Sequence, residues 1–328
     1  MTDAAVAAVA GRVPGTSRYR LRQSFRYSYD EPAYSLLHRL VVVPPRHHGD
    51  QVLRLGAVRV SDGSAQVSWT RDEHGNRVCL VRLQVVPESV TMQVEVEVER
   101  PDHAAGDQRT PAPSTVVPPW TDSLDVGSRE ATWHAPTLPA WALADPTLLG
   151  ASLQTVPDGA IRRLARELAG GDDVLAAASR VCEAVPELVA YVPGATSVRT
   201  TAMQALAGGR GVCQDQAHVM ISVLRAAGIP CRYVSGHLVG QGGTHAWVEV
   251  VVPAGRGARA VAYDPTHRRL ARDGYVTVAV GRDYVDVPPT SGWYSGDANG
   301  SLTGTRELVR ERWPHDGIPS WVPTYVTR

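Results

Sequence analysis

No lysine occurs anywhere in the 328-residue chain; all 33 basic residues are arginine. That absence excludes Schiff-base chemistry on a lysine, a phosphate-loop lysine and any crosslink through lysines of the chain itself. Phenylalanine occurs once, at Phe25, and asparagine twice, at Asn76 and Asn299, the bias a GC-rich genome imposes. Basic and acidic residues number 33 each, so no charge surplus points to nucleic acid or to an anionic membrane. No apolar run approaches the ~20 residues of a membrane span, and the opening MTDAAVAAVAGRVPG lacks a basic leader, so the expected compartment is the cytoplasm. Cys79, Cys182, Cys213 and Cys231 form no C-x-x-C pair and have no matching histidine spacing, which argues against structural zinc. A disulfide framework is equally unexpected in a reducing compartment, so each cysteine is judged singly.

What is present reads as an α+β protein of several parts. Residues 1–17 read as a flexible N-terminus. Residues 18–101 hold short apolar-polar alternations such as TMQVEVEVER, where Met92, Val94, Val96 and Val98 alternate with Gln93, Glu95, Glu97 and Glu99; a period of two means half-buried strands, hence an antiparallel, sandwich-like β domain. Residues 102–157 are proline-rich and read as a connector. Residues 158–296 begin with helical patterns and end in four strands, the last read as YVTVAVGRDYVDV, and 297–328 form a C-terminal extension.

The stretch GRGVCQDQAH, residues 209–218, places Cys213 at the start of a helix. Ala217, Met220, Ile221, Leu224 and Ala227 recur at helical spacing, and Gly228 with Pro230 stops the pattern. The unpaired amides and dipole of a helix N-terminus favour a thiolate there and can hold an oxyanion. Gly208, Gly209 and Gly211 would let a substrate backbone come close. A lone cysteine is more often a small buried hydrophobe, and downstream residues tip the balance. His245 opens the strand HAWVEVVV, Asp264 ends the strand ARAVAYD, and PAGRGA joins them as a hairpin. With the turn centred between Ala254 and Gly255, Val252 faces Gly257 and His245 faces Asp264, within reach of a carboxylate–imidazole bond. A slip of one residue would send the two to opposite faces. Cys213, His245 and Asp264 thus fit a nucleophile, a base and an orienting acid.

GVCQDQAHVMISVLRAAGIPCRYVSGHL, THAWVEVVVP and AYDPTH resemble the core of the bacterial transglutaminase-like cysteine peptidases. YRLRQSFRYSYDEPA and RDEHGNRV resemble the β domain that precedes it in such proteins. The resemblance implies a papain-like transglutaminase core, the triad Cys213, His245 and Asp264, and no cofactor. It also implies a peptide, protein or small amide or acyl substrate, with no nucleic-acid or membrane partner. Gly211, Gln214, Gln216, His237, Trp247 and Tyr284 are the candidate substrate-binding residues. Three activities remain compatible with these residues: an amide hydrolase or acyl transferase using a thioester, a specialised or arylamine-type acyltransferase of a biosynthetic pathway, and a non-catalytic scaffold built on the β domain.

Overall fold

The period-two segments form strands in the computed structural model, which describes residues 16–101, 135–171, 173–313 and 320–321. The first seven are β1 (Thr16–Tyr29), β2 (Ala33–Leu40), β3 (His47–His48), β4 (Gln51–Val60), β5 (Gln66–Arg71), β6 (Arg77–Val86) and β7 (Ser89–Pro101). Then come β8 (Thr137–Leu138) and the helices α1 (Pro146–Leu149), α2 (Gly159–Leu168) and α3 (Val174–Leu188). They are followed by β9 (Ala190–Tyr191), α4 (Ala202–Gly208), β10 (Arg210–Gly211) and α5 (Cys213–Ala226). The chain continues with β11 (Cys231–Leu238), β12 (His245–Ala254), β13 (Gly257–Asp264), β14 (Arg269–Leu270), β15 (Tyr275–Gly281), β16 (Thr290–Ser295), β17 (Gly300–Trp313) and β18 (Ser320–Trp321).

Three antiparallel sheets organise these elements. One runs β18-β17-β1-β7-β4-β3 and a second β16-β2-β6-β5. Tyr19, Leu21, Val94 and Val96 of the first pack with Leu36, Leu40, Val81 and Leu83 of the second in one apolar cluster, the interior of a sandwich. The strand β4 does not follow from simple alternation, because a bulge between Leu53 and Leu55 shifts its period against β7. The segment after 296 supplies β17, which pairs with β1 from Thr16–Trp313 to Tyr29–Gly300. Residues 1–15, most of the proline-rich connector and most of the last fourteen residues lie outside the described residues.

The third sheet, β14-β13-β12-β11-β15, is the frame of the core. Against it lies α5, buried from Cys213 to Arg225 rather than on one face only, because α2, α3 and α4 pack around it as well. The edge strand β15 would present unpaired backbone groups. Side-chain amides from the sandwich close it: Gln51 donates to Thr277 O at 2.8 Å and accepts from Thr277 N at 2.9 Å. Asn76 likewise donates to Val280 O at 2.7 Å and accepts from Val280 N at 2.9 Å. Two amide side chains thus imitate a neighbouring strand and hold the sandwich to the core. A cavity of about 700 Å3 lies at this junction, lined by Asp50, Arg71, His74, Arg232 and Arg259 among others; the triad candidates do not line it.

Candidate active site

Local sequence places Cys213 at the head of α5. Gly209, at φ +63°, ends α4 in the left-handed conformation. Arg210 and Gly211 then pair in parallel with Ala190 and Tyr191, and Val212 is extended, so the helix begins at Cys213. Asp215 caps it, its Oδ2 accepting from Val212 N at 2.7 Å and from the Thr196 hydroxyl at 2.6 Å. A Cβ on Gly211 would lie 2.6 Å from Asp215 Cβ and 2.7 Å from its Oδ2. Gly211 is therefore required by the helix cap. Gly211→Ala should displace the Asp215 carboxylate and lower stability by about 1–3 kcal/mol, read from the urea midpoint; an unchanged midpoint would remove this role.

His245 and Asp264 meet as the hairpin predicts, though through a different register. Val248 pairs with Tyr263 and Ala254 with Gly257, which centres the turn between Gly255 and Arg256. Extending that register, His245 does not lie opposite Asp264; it reaches the carboxylate diagonally. Two residues of slip keep the side chains on the same face. Pro253 lies inside β12 rather than in the turn, since it is past the last β11 pair, Cys231–Val250, where no ladder donor is missed.

The resulting geometry is tight. His245 Nε2 lies 2.7 Å from Asp264 Oδ2, with side chains 1% and 0% exposed. The same oxygen accepts from His267 Nδ1 at 2.7 Å and from the Tyr275 hydroxyl at 2.6 Å. Oδ1 accepts from Thr266 N at 2.9 Å and His267 N at 3.3 Å. Burial would raise the Asp264 pKa, but the bonds from His245 and His267 outweigh it and hold the carboxyl far below its usual range. Burial would lower His245; bonding to Asp264 and to Cys213 overrides it and lifts the imidazole to about 9. Nε2 is committed to Asp264, and among the described residues Nδ1 has no other partner, which leaves Nδ1 for the Cys213 thiol. The other cysteines are kept protonated: burial pushes Cys231 to about 11, Cys79 to about 12 and raises Cys182 as well.

The remaining candidates divide. Gln214 flanks the thiol and donates to Val198 O at 3.3 Å. Tyr284, half-buried in the 284–286 turn, packs edge-on to Tyr233 at 6.5 Å. Three others are not walls of a cleft. Gln216 is buried and donates to Val189 O at 2.8 Å, tying α5 to the end of α3. Trp247 is 1% exposed beneath His245 and against Tyr275, at centroid distances of 6.0 and 5.3 Å, so it supports the imidazole. His237 is buried, pushed down to about 3 by burial, and bonds Gln23 of the sandwich at 3.0 Å. His218, also buried, accepts from Tyr284 N at 3.2 Å.

In sequence His267 reads only as a weaker candidate for the base, because it follows Asp264, and Tyr275 is not singled out. His267 instead bonds the Asp264 carboxylate from three residues downstream, and Tyr275 joins the site through the strand order alone. Donor atoms of His245, Asp264 and His267 lie within 4.8 Å of one another, as a metal site would need, but here each atom is engaged in the hydrogen bonds just described.

A helix headed by a cysteine and packed on an antiparallel sheet that carries a histidine and an aspartate defines a papain-like core. Residues 162–265 match the family model of the transglutaminase-like superfamily, and residues 19–99 match that of the bacterial transglutaminase-like N-terminal region. The chain belongs to this superfamily, in the bacterial form that carries that N-terminal region. It is 28% identical to an uncharacterized protein of Mycobacterium tuberculosis over 312 residues, 90% of this chain and 93% of that one. It is 42% identical to an uncharacterized protein of Mycobacterium leprae over 130 residues, 37% of this chain and 45% of that one. A solved candidate cysteine protease of Cytophaga hutchinsonii shares the fold at TM-score 0.67 and 17% identity, over 94% of each chain. Among the described residues no helix is long and apolar enough to cross a membrane.

Proposed function

We propose that the protein is a cysteine-dependent amide hydrolase or acyl transferase that works through a thioester, with Cys213 as nucleophile, His245 as base and Asp264 as the group that orients it. The buried 2.7 Å bond between His245 and Asp264, beside a helix-start thiol, carries this reading. The Cys213 thiolate attacks the amide carbonyl carbon, and the carbonyl electron pair moves to oxygen. Helix amides of the first turn have no intrahelical acceptor and can stabilise that oxyanion. Collapse re-forms the carbonyl and expels the amine, which takes its proton from the His245 imidazolium. Water or an amine then attacks the thioester and gives a proton to His245, and the sulfur leaves as thiolate. Asp264 stays ionised throughout and keeps Nε2–H pointed at itself.

Iodoacetamide labelling followed by peptide mass spectrometry, in the wild type and in His245→Ala, tests the assignment. Cys213 should react at least about tenfold faster than Cys79, Cys182 or Cys231, and His245→Ala should remove the advantage. A Cys213 no faster than Cys231 would leave the scaffold reading in its place.

A further inference from the structure

The carboxylate that holds His245 is shared. Beyond Asp264 the chain turns back, with the Thr266 and His267 amides bonded to Oδ1 and Arg268 left-handed at φ +53°. That turn folds the His267 ring onto the oxygen that His245 uses: Nδ1 lies 2.7 Å from Oδ2, and the two rings meet edge to face at 5.2 Å. The Tyr275 hydroxyl is the third side chain to donate to Oδ2. With the two amides on Oδ1, the donors outnumber the roughly four lone-pair sites of a carboxylate. The donors compete, so a change in one bond alters what the others receive.

His267 differs from the other partners in where it leads. Its side chain is 30% exposed, against 1% for His245 and 0% for Asp264, and its Nε2 lies 2.9 Å from Gln241 Nε2. An amide nitrogen only donates, so Nε2 accepts and the ring proton sits on Nδ1, facing Asp264. A donor on one side of an imidazole makes the N–H on its other side a stronger donor. Gln241 belongs to the connection 239–244, which runs from β11 directly into His245, with Gly240 left-handed at φ +86°. The loop before the base therefore reaches the acid behind it through one ring.

Among the described residues, the other titratable groups that bear on the pair are held. Burial keeps Cys182 of α3 and Tyr275 of β15 protonated and pushes His237 of β11 down to about 3. Arg269 of β14 donates to the Tyr275 oxygen at 2.9 Å, and Cys213 of α5 bonds His245 itself.

We propose that His267 is a positioning residue: it shares Asp264 Oδ2 with His245 and, through Gln241, ties the strength with which Asp264 holds the imidazolium to the 239–244 loop. This rests on His245 being the base beside Cys213, and the test separates the two. Removing the His267 bond returns negative charge to Oδ2 and makes His245 more basic; turning His267 into a cation draws that charge away and makes His245 less basic.

The His245 imidazole is titrated by NMR in the full chain, its signal assigned by its loss in His245→Ala. Against the wild type, its apparent pKa should rise by several tenths of a unit in His267→Ala and by less in Gln241→Ala. It should fall in Gln241→Glu, whose carboxylate accepts a proton-bearing Nε2 and so holds His267 as imidazolium. The alkaline limb of the iodoacetamide rate at Cys213 should follow in each variant. A structural role alone would lower the urea midpoint and leave the titration in place. The two Gln241 variants, on a loop, decide the matter even where His267→Ala does not fold. An unmoved titration, or one that moves the same way in Gln241→Glu as in Gln241→Ala, overturns the proposal and leaves the triad standing. A Cys213 no faster than Cys231 in the wild type overturns the nucleophile, and the His245 titration still decides the role of His267.

Discussion

Asp264→Asn is expected to slow turnover by about 10³–10⁴-fold, the scale seen when a triad carboxylate is replaced by an amide, while Cys213 stays accessible. Asp264 Oδ2 accepts from His245, His267 and Tyr275 at once, and a neutral amide cannot match a carboxylate in holding an imidazolium. The raised value of about 9 at His245 depends on bonds to Asp264 and Cys213. A folded-state pKa above the usual ~6.5 means the charged form is favoured by folding. Its stabilisation is fully present below about 6.5 and is lost as pH rises through about 9. The proton that leaves with the amine is lost over the same window, so wild-type turnover should decline as pH rises through about 9. In Asp264→Asn that alkaline limb should move to lower pH, which an imidazole titration by NMR would follow directly. An unmoved limb with unchanged turnover reduces the pair to a structural role.

Asn76→Ala should destabilise the protein by about 2–4 kcal/mol, a large share of the stability of an ordinary domain. Asn76 is 2% exposed and bonds Asp72 as well as both backbone groups of Val280. Alanine would leave the Val280 N–H and carbonyl on β15 without the side-chain partner that closes the edge. Denaturation midpoints in urea check this, with Asn299→Ala, which loses an exposed pair with Asp30, as the control that should change by under about 0.5 kcal/mol. Equal shifts in the two variants would show that the edge closure contributes little.

Much of the site was legible because its parts are local. A helix start is written in a few residues around Cys213, and the faces of β12 and β13 follow from parity, which survived a register displaced by two residues. The displacement arose from centring the PAGRGA turn between Ala254 and Gly255 rather than between Gly255 and Arg256, with Pro253 in the connection, although a proline fits a strand where its missing N–H has no neighbour to lose. What sequence did not reveal depends on distant partners. Asn76 reads as a turn residue beside Gly75, yet its amide is spent on a strand two hundred positions later. Gln216, Trp247 and His237 sit near Cys213 and His245 in sequence, which made them resemble cleft residues; packing turned each of them inward.

The pairing of β1 with β17 sets an order of events during synthesis. Tyr29 finds its partner Gly300 only after the whole core has been translated. At ~5–20 residues per second, one long side of β1 waits on the order of 15–60 s for its neighbour. During that interval the half-built sandwich exposes an open edge to every other nascent chain. Arg18, Arg20 and Arg22 along that strand, set against Glu99, Glu97 and Glu95 of β7, keep the waiting edge charged and discourage strangers from docking on it. Emergence of β17, rather than completion of the core, is therefore the step that closes this side of the sandwich.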